Sequence, residues 1–419
     1  MLGGYIDRHR AGRLMTSLGV DAMVLVQPES IQYAAGASAG VASLWRRAGA
    51  AALLVPADPT SEMAAVVGDL QAASFRKASG IEDTRSHPIW VETSAVDLGE
   101  ADVQVSIARN DRHRPAGFQR PATFDPALAL AILRDILVER GLDKARIGLE
   151  LAFVPVADIS AFDLALPNVR WIDASPLVAQ LRMIKRPDEI EMLRLAADLT
   201  SEALRHLLSF LHEGLDAAAM TALWRNKVDD GARRRGLAQP VSGWAYIAVG
   251  EDGFAPGAPA RQGDVVKIDV GAVVGGYSAD MARTAVLGRP TRPQQQIHGA
   301  LLRALEAALA ALVPGRPLQE AHHAATAAMH RAGFTTYSRG HFGHSVGASI
   351  FSEEWPFIAA DTDVPVEPGM VLAVEAPYYV RGVGGFIIED QFLVGENGLE
   401  CLSPLPRALH EASLAGGPN

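Results

Sequence analysis

The sequence predicts an α+β chain of two domains, a smaller N-terminal α/β domain over residues 1–180 and a second domain over 181–419 made of helix pairs and hairpins. Three observations predict it. Strand-like and helix-like segments alternate up to about Asp173, and at Lys185-Arg186-Pro187-Asp188-Glu189 the pattern changes to long amphipathic helices. Two later segments read as glycine-turned hairpins, each carrying a pair of carboxylates. A length of 419 residues agrees with two or three domains of ordinary size.

In chain order, residues 6–18 read as a helix, 22–26 as a strand and 50–55 as a buried strand. Residues 127–140 form a helix that Gly141 ends, and short strands at 146–150 and 169–172 enclose a further helix. Such alternation suggests a mostly parallel sheet. Pro187 suits a first helical turn, where Glu189 and Glu191 favour the positive end of the macrodipole. Ile190, Leu193, Ala197, Leu204, Leu207 and Leu211 then share one face of a long helix. A second helix opens after Asp216 and ends at Arg233-Arg234-Arg235-Gly236, where the basic triplet complements the C-terminal dipole. Residues 292–313 and 318–332 read as another helix pair, with strands between and after the pairs.

Composition excludes several functions. With 49% hydrophobic and 21% charged residues the chain is not disordered, and a net charge of −10 lacks the basic footprint of a nucleic-acid binder. Cys401 is the sole cysteine, so any metal site must use His, Asp and Glu. No run of about 18 uncharged apolar residues occurs, and the first residues lack the apolar stretch of a signal peptide. The expectation is a cytoplasmic enzyme with a small-molecule substrate and neither nucleic-acid nor membrane partners.

The chemistry concentrates in the two hairpins. In residues 263–284, Val266, Ile268 and Val270 alternate with Lys267 and Asp269, and Gly275-Gly276 marks the turn. A hairpin centred between Val274 and Gly275 sets Asp269 directly opposite Asp280, an arrangement that needs a cation between them. Downstream, a turn through Gly382 sets Glu375 opposite Glu389. A single strand carboxylate is usually just solvated; two opposed pairs point to a metal. His344, in Gly340-His341-Phe342-Gly343-His344, supplies an imidazole ligand. Four carboxylates and one imidazole suit a pair of Mn²⁺, Co²⁺, Fe²⁺ or Zn²⁺ ions, which together could bridge a hydroxide and polarise a carbonyl. His322, His323 and His330 lie on an alanine-rich helix and read as surface or packing residues.

Asp269, Asp280, His344, Glu375 and Glu389 resemble the five metal ligands of the creatinase, prolidase and methionine aminopeptidase family. Gly263-Asp264, Asp280-x-x-Arg283-Thr284, Glu367-Pro368-Gly369-Met370 and Glu389-Asp390 extend the resemblance. It implies a C-terminal pita-bread catalytic domain, a creatinase/prolidase N-terminal-like domain before it, and a homodimer. It further implies two divalent metal ions, manganese first, with Asp269 on one ion, Asp280 and Glu389 bridging both, and Glu375 as metal-linked general base.

The chain departs from the family's peptidases at three places. Residues 242–256 hold no histidine before the first metal Asp, and Asp252, Phe254 or Ala255 takes that place. Phe351 stands seven residues after His344, where peptidases carry a second histidine, and Ile387 replaces an arginine two residues before Glu389. Such acid–base groups are worth about 10²- to 10⁴-fold. The expected function is therefore hydrolysis of a C–N bond, amide or amidine-like, in a small non-peptide substrate by a metal-bound hydroxide. Glu375, Tyr246 and Glu353 are the expected catalytic residues, with Tyr379 a further candidate. Tyr378 and Trp45-Arg46-Arg47 are expected to bind substrate, the arginines pairing with a carboxylate.

The alternative is an Xaa-Pro aminopeptidase or dipeptidase with remodelled surroundings. Lesser alternatives are a metal-dependent lyase of the same fold, a serine hydrolase using Ser345 in Gly343-x-Ser345-x-Gly347 with Asp390 and His410, and a non-catalytic binding module.

Overall fold

Local chemistry sets the helices of the first unit. Asp125 accepts hydrogen bonds from the Ala127 and Leu128 N–H groups and opens the helix Pro126–Glu139, whose Leu130, Leu133 and Leu137 are buried. They pack on Val24, Leu54, Ile147 and Leu149 of a sheet. The computed structural model describes residues 4–97, 99, 101–348 and 353–414. It divides into two units, Met1–Leu181 and Arg182–Asn419.

In the first unit the strand Ala22–Leu25 is central. It pairs in parallel with Arg146–Leu149, which pairs in parallel with Arg170–Asp173. On its other side lies Ala52–Pro56, antiparallel to both Ala22–Leu25 and Ala64–Gly68. Thr84–His87 closes that edge in parallel. The sheet is mostly parallel, as the strand–helix alternation predicts. Ala52–Pro56 is the exception, and for its pairing with Ala64–Gly68 the reason is connection length: the short link after Pro56 can turn back but cannot cross over.

The second unit is built on a long antiparallel sheet. Its strands run in the order Glu354–Ala359, His341–Ser345, Val371–Val380, Gly384–Gly395, Met281–Leu287, Val265–Val274, Val241–Val249. Helices Pro187–Phe210 and Ala217–Arg235 form one pair, and Arg292–Ala311 and Gln319–Arg331 the other. Asp216 caps the second helix through the Ala219 N–H, and Gly236 ends it in the left-handed conformation.

Strand parity decides which face meets the helices. Leu372, Val374 and Ala376 join Ile388 and Phe392 in a core with Leu301, Leu305 and Met329 of the second helix pair. Successive side chains point to opposite faces, so Ala373, Glu375, Glu389 and Gln391 lie on the other one. Among the described residues no helix is long and apolar enough to cross a membrane.

One register differs from the expectation. Gly275 and Gly276, at φ 59° and 90°, form a two-residue turn with Val274 paired to Tyr277. Asp269 therefore faces Ala282, and Asp280 lies two residues along. The glycine pair is itself the turn, one position later than the predicted centre. The second hairpin sets Glu375 directly opposite Glu389, as predicted.

Candidate metal centre

The candidate ligands fall on two adjacent rows across the sheet. In the first, Tyr246 faces Asp269, Asp269 faces Ala282, Ala282 faces Glu389, and Glu389 faces Glu375. In the second, Gln391 faces Ala373 and Ala373 faces His344, while the Asp280 N–H donates to Gln391 Oε1 at 3.3 Å. The pairing of Ala282 with Glu389 thus joins stretches more than 100 positions apart in sequence.

Asp280, His344 and Glu389 form the tightest group. Each offers a ligand atom within 4.8 Å of the other two, and all three residues are buried. His344 Nε2 lies 3.6 Å from Asp280 Oδ2 and 3.9 Å from Glu389 Oε1. The other ring nitrogen, Nδ1, is 3.0 Å from the Ser345 carbonyl. A ring that donates Nδ1–H to that oxygen turns Nε2 toward the two carboxylates.

Asp269 and Glu375 are held differently. Lys267, on the same strand face as Asp269, places Nζ 3.4 Å from Asp269 Oδ2 and 5.7 Å from the Tyr379 ring centroid. Arg339 donates to Glu375 Oε1, and His341 Nδ1 lies 3.4 Å from the same oxygen.

Beneath Glu389 sits a buried buttress. Arg283 Nη1 donates to the Glu389 carbonyl at 2.7 Å, and Arg283 Nη2 to Asp390 Oδ1 at 2.7 Å. Asp390, on the opposite strand face, also accepts from Arg407 Nε at 2.6 Å. These charge-assisted bonds fix the backbone that aims Glu389.

The residues fit a divalent cation. Glu389 Oε1 is buried without a hydrogen-bond partner among the described residues. Burial, then Asp280, Glu375 and Asp269, push the Glu389 carboxyl well above the ordinary carboxylate range. Burial also pushes Asp269 up to about 6, with Lys267 acting against the rise and Glu375 adding to it. Crowded buried carboxylates with one imidazole are the donor set of Mn²⁺, Fe²⁺, Co²⁺ or Zn²⁺, and a cation would relieve their repulsion.

A cavity of about 740 Å³ opens onto Asp269 and Glu375. Tyr246, Phe254, Tyr379 and Ile387 give it apolar walls, while Lys267, Arg339 and Glu353 are its other charged groups. His341 sits beside it, its Nε2 4.0 Å from Glu353 Oε2. Burial holds the His341 imidazole below its ordinary value, against the pull of Glu375, so the ring is neutral near pH 7.

Tyr246, Glu353 and Glu375, predicted as catalytic, therefore share one cavity. Tyr378 does not join them: it stacks edge-on against Tyr337 and Phe334 on the helix side of the strand. Tyr379, four residues beyond Glu375 and on its face, takes the cavity wall. Phe351 and Ser352 lie outside the described residues. Trp45, Arg46 and Arg47 lie in the first unit. Trp45 stacks on Phe124 with centroids 5.3 Å apart. Arg46 pairs with Glu29 at 2.8 Å and Arg47 with Asp158 at 2.7 Å.

Sequence reading passed over Lys267, Arg339 and His341. Lys267 was recoverable, because residues two apart on a strand share a face with Asp269. Arg339 and His341 carried no such signal.

The serine-hydrolase alternative finds no geometry. Ser345 is fully buried at the end of the strand His341–Ser345 and accepts from Lys185 Nζ at 2.5 Å. Asp390 is committed to two arginines, and His410 Nε2 lies 3.0 Å from the Leu208 carbonyl.

Comparison with known proteins agrees with the geometry. The profile of metallopeptidase family M24 matches residues 191–396, and that of the Creatinase/Prolidase N-terminal domain matches residues 8–184. An Xaa-Pro dipeptidase of Pyrococcus furiosus is 31% identical over 238 residues, which cover 56% of this chain and 66%, just under two thirds, of the relative. An uncharacterized peptidase of Bacillus subtilis is 28% identical over 271 residues, 63% of this chain and 74% of the relative. Among solved structures, an Xaa-Pro dipeptidase from Bacillus anthracis superposes with a TM-score of 0.73 at 22% identity, covering 96% of this chain and 98% of that one. The N-terminal domain of the FACT complex subunit SPT16 from Cicer arietinum gives 0.67 at 17% identity, covering 97% and 98%. Likeness at that distance shows the fold alone. Both profiles in order, over a metal-ligand cluster in the second unit, show that the chain belongs to the creatinase/prolidase family of pita-bread metallohydrolases.

Proposed function

We propose that this chain is a metal-dependent hydrolase of short Xaa-Pro peptides, dipeptides first, in which Lys267, Arg339 and His341 replace the usual surroundings of the metal ligands. The observation that carries this reading is the cavity that meets the carboxylate–imidazole cluster at Asp269 and Glu375. A divalent ion held by Asp280, His344 and Glu389, with Asp269 and Glu375 beside it, supplies Lewis-acid polarisation of a carbonyl and activation of water. Manganese is the ion we expect.

The remaining work falls to the chain's own groups. Glu375 is the general base, and the neutral His341 ring 3.4 Å from its Oε1 can take the proton on. Glu353, near the other nitrogen of that ring, can hand a proton to the leaving amine. Tyr246, on the row with Asp269, is placed to hydrogen-bond the polar part of a substrate, while Phe254, Tyr379 and Ile387 offer an apolar wall to a pyrrolidine ring. His341 thus answers part of the objection raised by the missing peptidase histidines, and the peptidase relatives move the balance away from a non-peptide substrate.

A small non-peptide amide remains the second reading. It is favoured by Ile387, which lines the cavity where the family's peptidases carry an arginine. The Mn²⁺-loaded enzyme assayed against Xaa-Pro dipeptides, Xaa-Pro tripeptides and small amides separates the two. Turnover of dipeptides at least about tenfold above the amides is expected; turnover of the amides alone would establish the second reading. A homodimer and a cytoplasmic location belong to the same proposal, and light scattering should give twice the chain mass.

A further inference from the structure

A dinuclear centre needs both halves of the carboxylate cluster free for metal. The two halves are not alike. The carboxylates of Asp280 and Glu389 face the His344 imidazole, whereas those of Asp269 and Glu375 already face a side-chain cation each. We infer that the centre holds one divalent ion, at Asp280, His344 and Glu389, and that Lys267 and Arg339 supply the positive charge a second ion would bring. This inference rests on the metal-dependent reading above and concerns only how many ions the chain takes and which residues decide it.

Two observations carry it. First, among the described residues the grouping of ligand atoms within 4.8 Å of one another contains Asp280, His344 and Glu389, and neither Asp269 nor Glu375. Second, Lys267 is held against Asp269. Its side chain is 4% exposed, and its Nζ lies 3.4 Å from Asp269 Oδ2 and 5.7 Å from the Tyr379 ring centroid. A cation sharing Asp269 with that ammonium would be held within a few ångströms of a like charge, where burial leaves the repulsion poorly screened.

Arg339 has a further consequence for Glu375. It donates to Glu375 Oε1 and, through Nε, to the His341 carbonyl, so one guanidinium orients the general base and the start of the strand His341–Ser345. Arg339 is here a positioning residue.

The test is a calorimetric titration of the metal-stripped full chain with Mn²⁺, with electron paramagnetic resonance on the saturated sample. One ion per chain is expected, with the six-line signal of isolated Mn²⁺ and any second step roughly 100-fold or more weaker. Lys267→Met, which keeps the stem and removes the charge, should tighten the second step by about 100-fold and produce an exchange-coupled spectrum. If that variant does not fold, Arg339→Gln enters the same titration with the same expectation. Two ions bound by the wild type within tenfold of each other, with a coupled spectrum, would overturn this inference and leave the metal-dependent reading intact. A wild type that binds no Mn²⁺ would overturn both. A Lys267→Met chain that still takes one ion would overturn the role given to the lysine.

Discussion

Asp280, His344 and Glu389 differ from Asp269 and Glu375 in their neighbours rather than in their chemistry. Both sets project from one sheet face, and Glu389 of the first stands directly opposite Glu375 of the second. The first set is buried with the His344 imidazole between two carboxylates; the second borders a cavity, with Lys267 and Arg339 in contact. The difference teaches that a ligand pattern in sequence is necessary but incomplete. Whether a carboxylate binds metal, accepts a proton or pairs with a side-chain cation is decided by residues outside the pattern.

The strongest test of this contrast removes a member of the first set. Asp280→Ala should abolish stoichiometric metal binding and reduce kcat/KM by at least about 10⁴-fold, since the metal's share of transition-state stabilisation is several kcal/mol. Glu375→Gln should act on the second set alone. Metal content should stay near the wild-type level while kcat falls about 10³-fold, the loss expected for a general base. If Glu375→Gln loses the ion as completely as Asp280→Ala does, the two sets are one.

Proton competition sharpens the comparison further. Burial and three neighbouring carboxylates raise the Glu389 pKa, so without metal the group retains its proton to higher pH than an ordinary glutamate. Metal must displace that proton. Affinity therefore rises with pH through the raised pKa and falls by about tenfold per pH unit below it. Calorimetry in buffers of different ionisation enthalpy should record proton release on metal binding that grows as the pH is lowered. No proton release at any pH, with affinity flat across the series, would contradict the crowding of the first set.

The smallest effect is expected at Trp45-Arg46-Arg47. Arg46 and Arg47 pair with Glu29 and Asp158 inside their own unit, and partly exposed pairs of this kind are worth about 0–1 kcal/mol. Replacing both arginines by alanine should change KM by less than about threefold. A KM raised tenfold or more would instead bring this segment to the substrate.

Much of this architecture was legible because it rests on local rules. The Asp216 cap, the Gly236 stop and the alternation around Asp269 and Glu375 each have a short-range cause. The pairing of Glu375 with Glu389 followed from symmetry about Gly382, whereas that of Asp269 missed by two residues because Gly275-Gly276 forms the turn. Choosing Tyr378 over Tyr379 ignored strand parity, which was available from Glu375. Arg339 and His341 were not legible at all. Arg339 lies just before the strand His341–Ser345 and His341 at its start, where the register shifts, and only the folded strand order brings them against Glu375.

The central claim, that the Asp280–His344–Glu389 cluster holds the metal that makes this chain a hydrolase, meets its most direct test in one titration. Metal-stripped enzyme is titrated with Mn²⁺ while hydrolysis of the dipeptide Gly-Pro is followed. Activity should be absent at the start, rise in proportion to added metal and level off at one ion per chain. Full activity before any metal is added, or no hydrolysis at saturation, would contradict it.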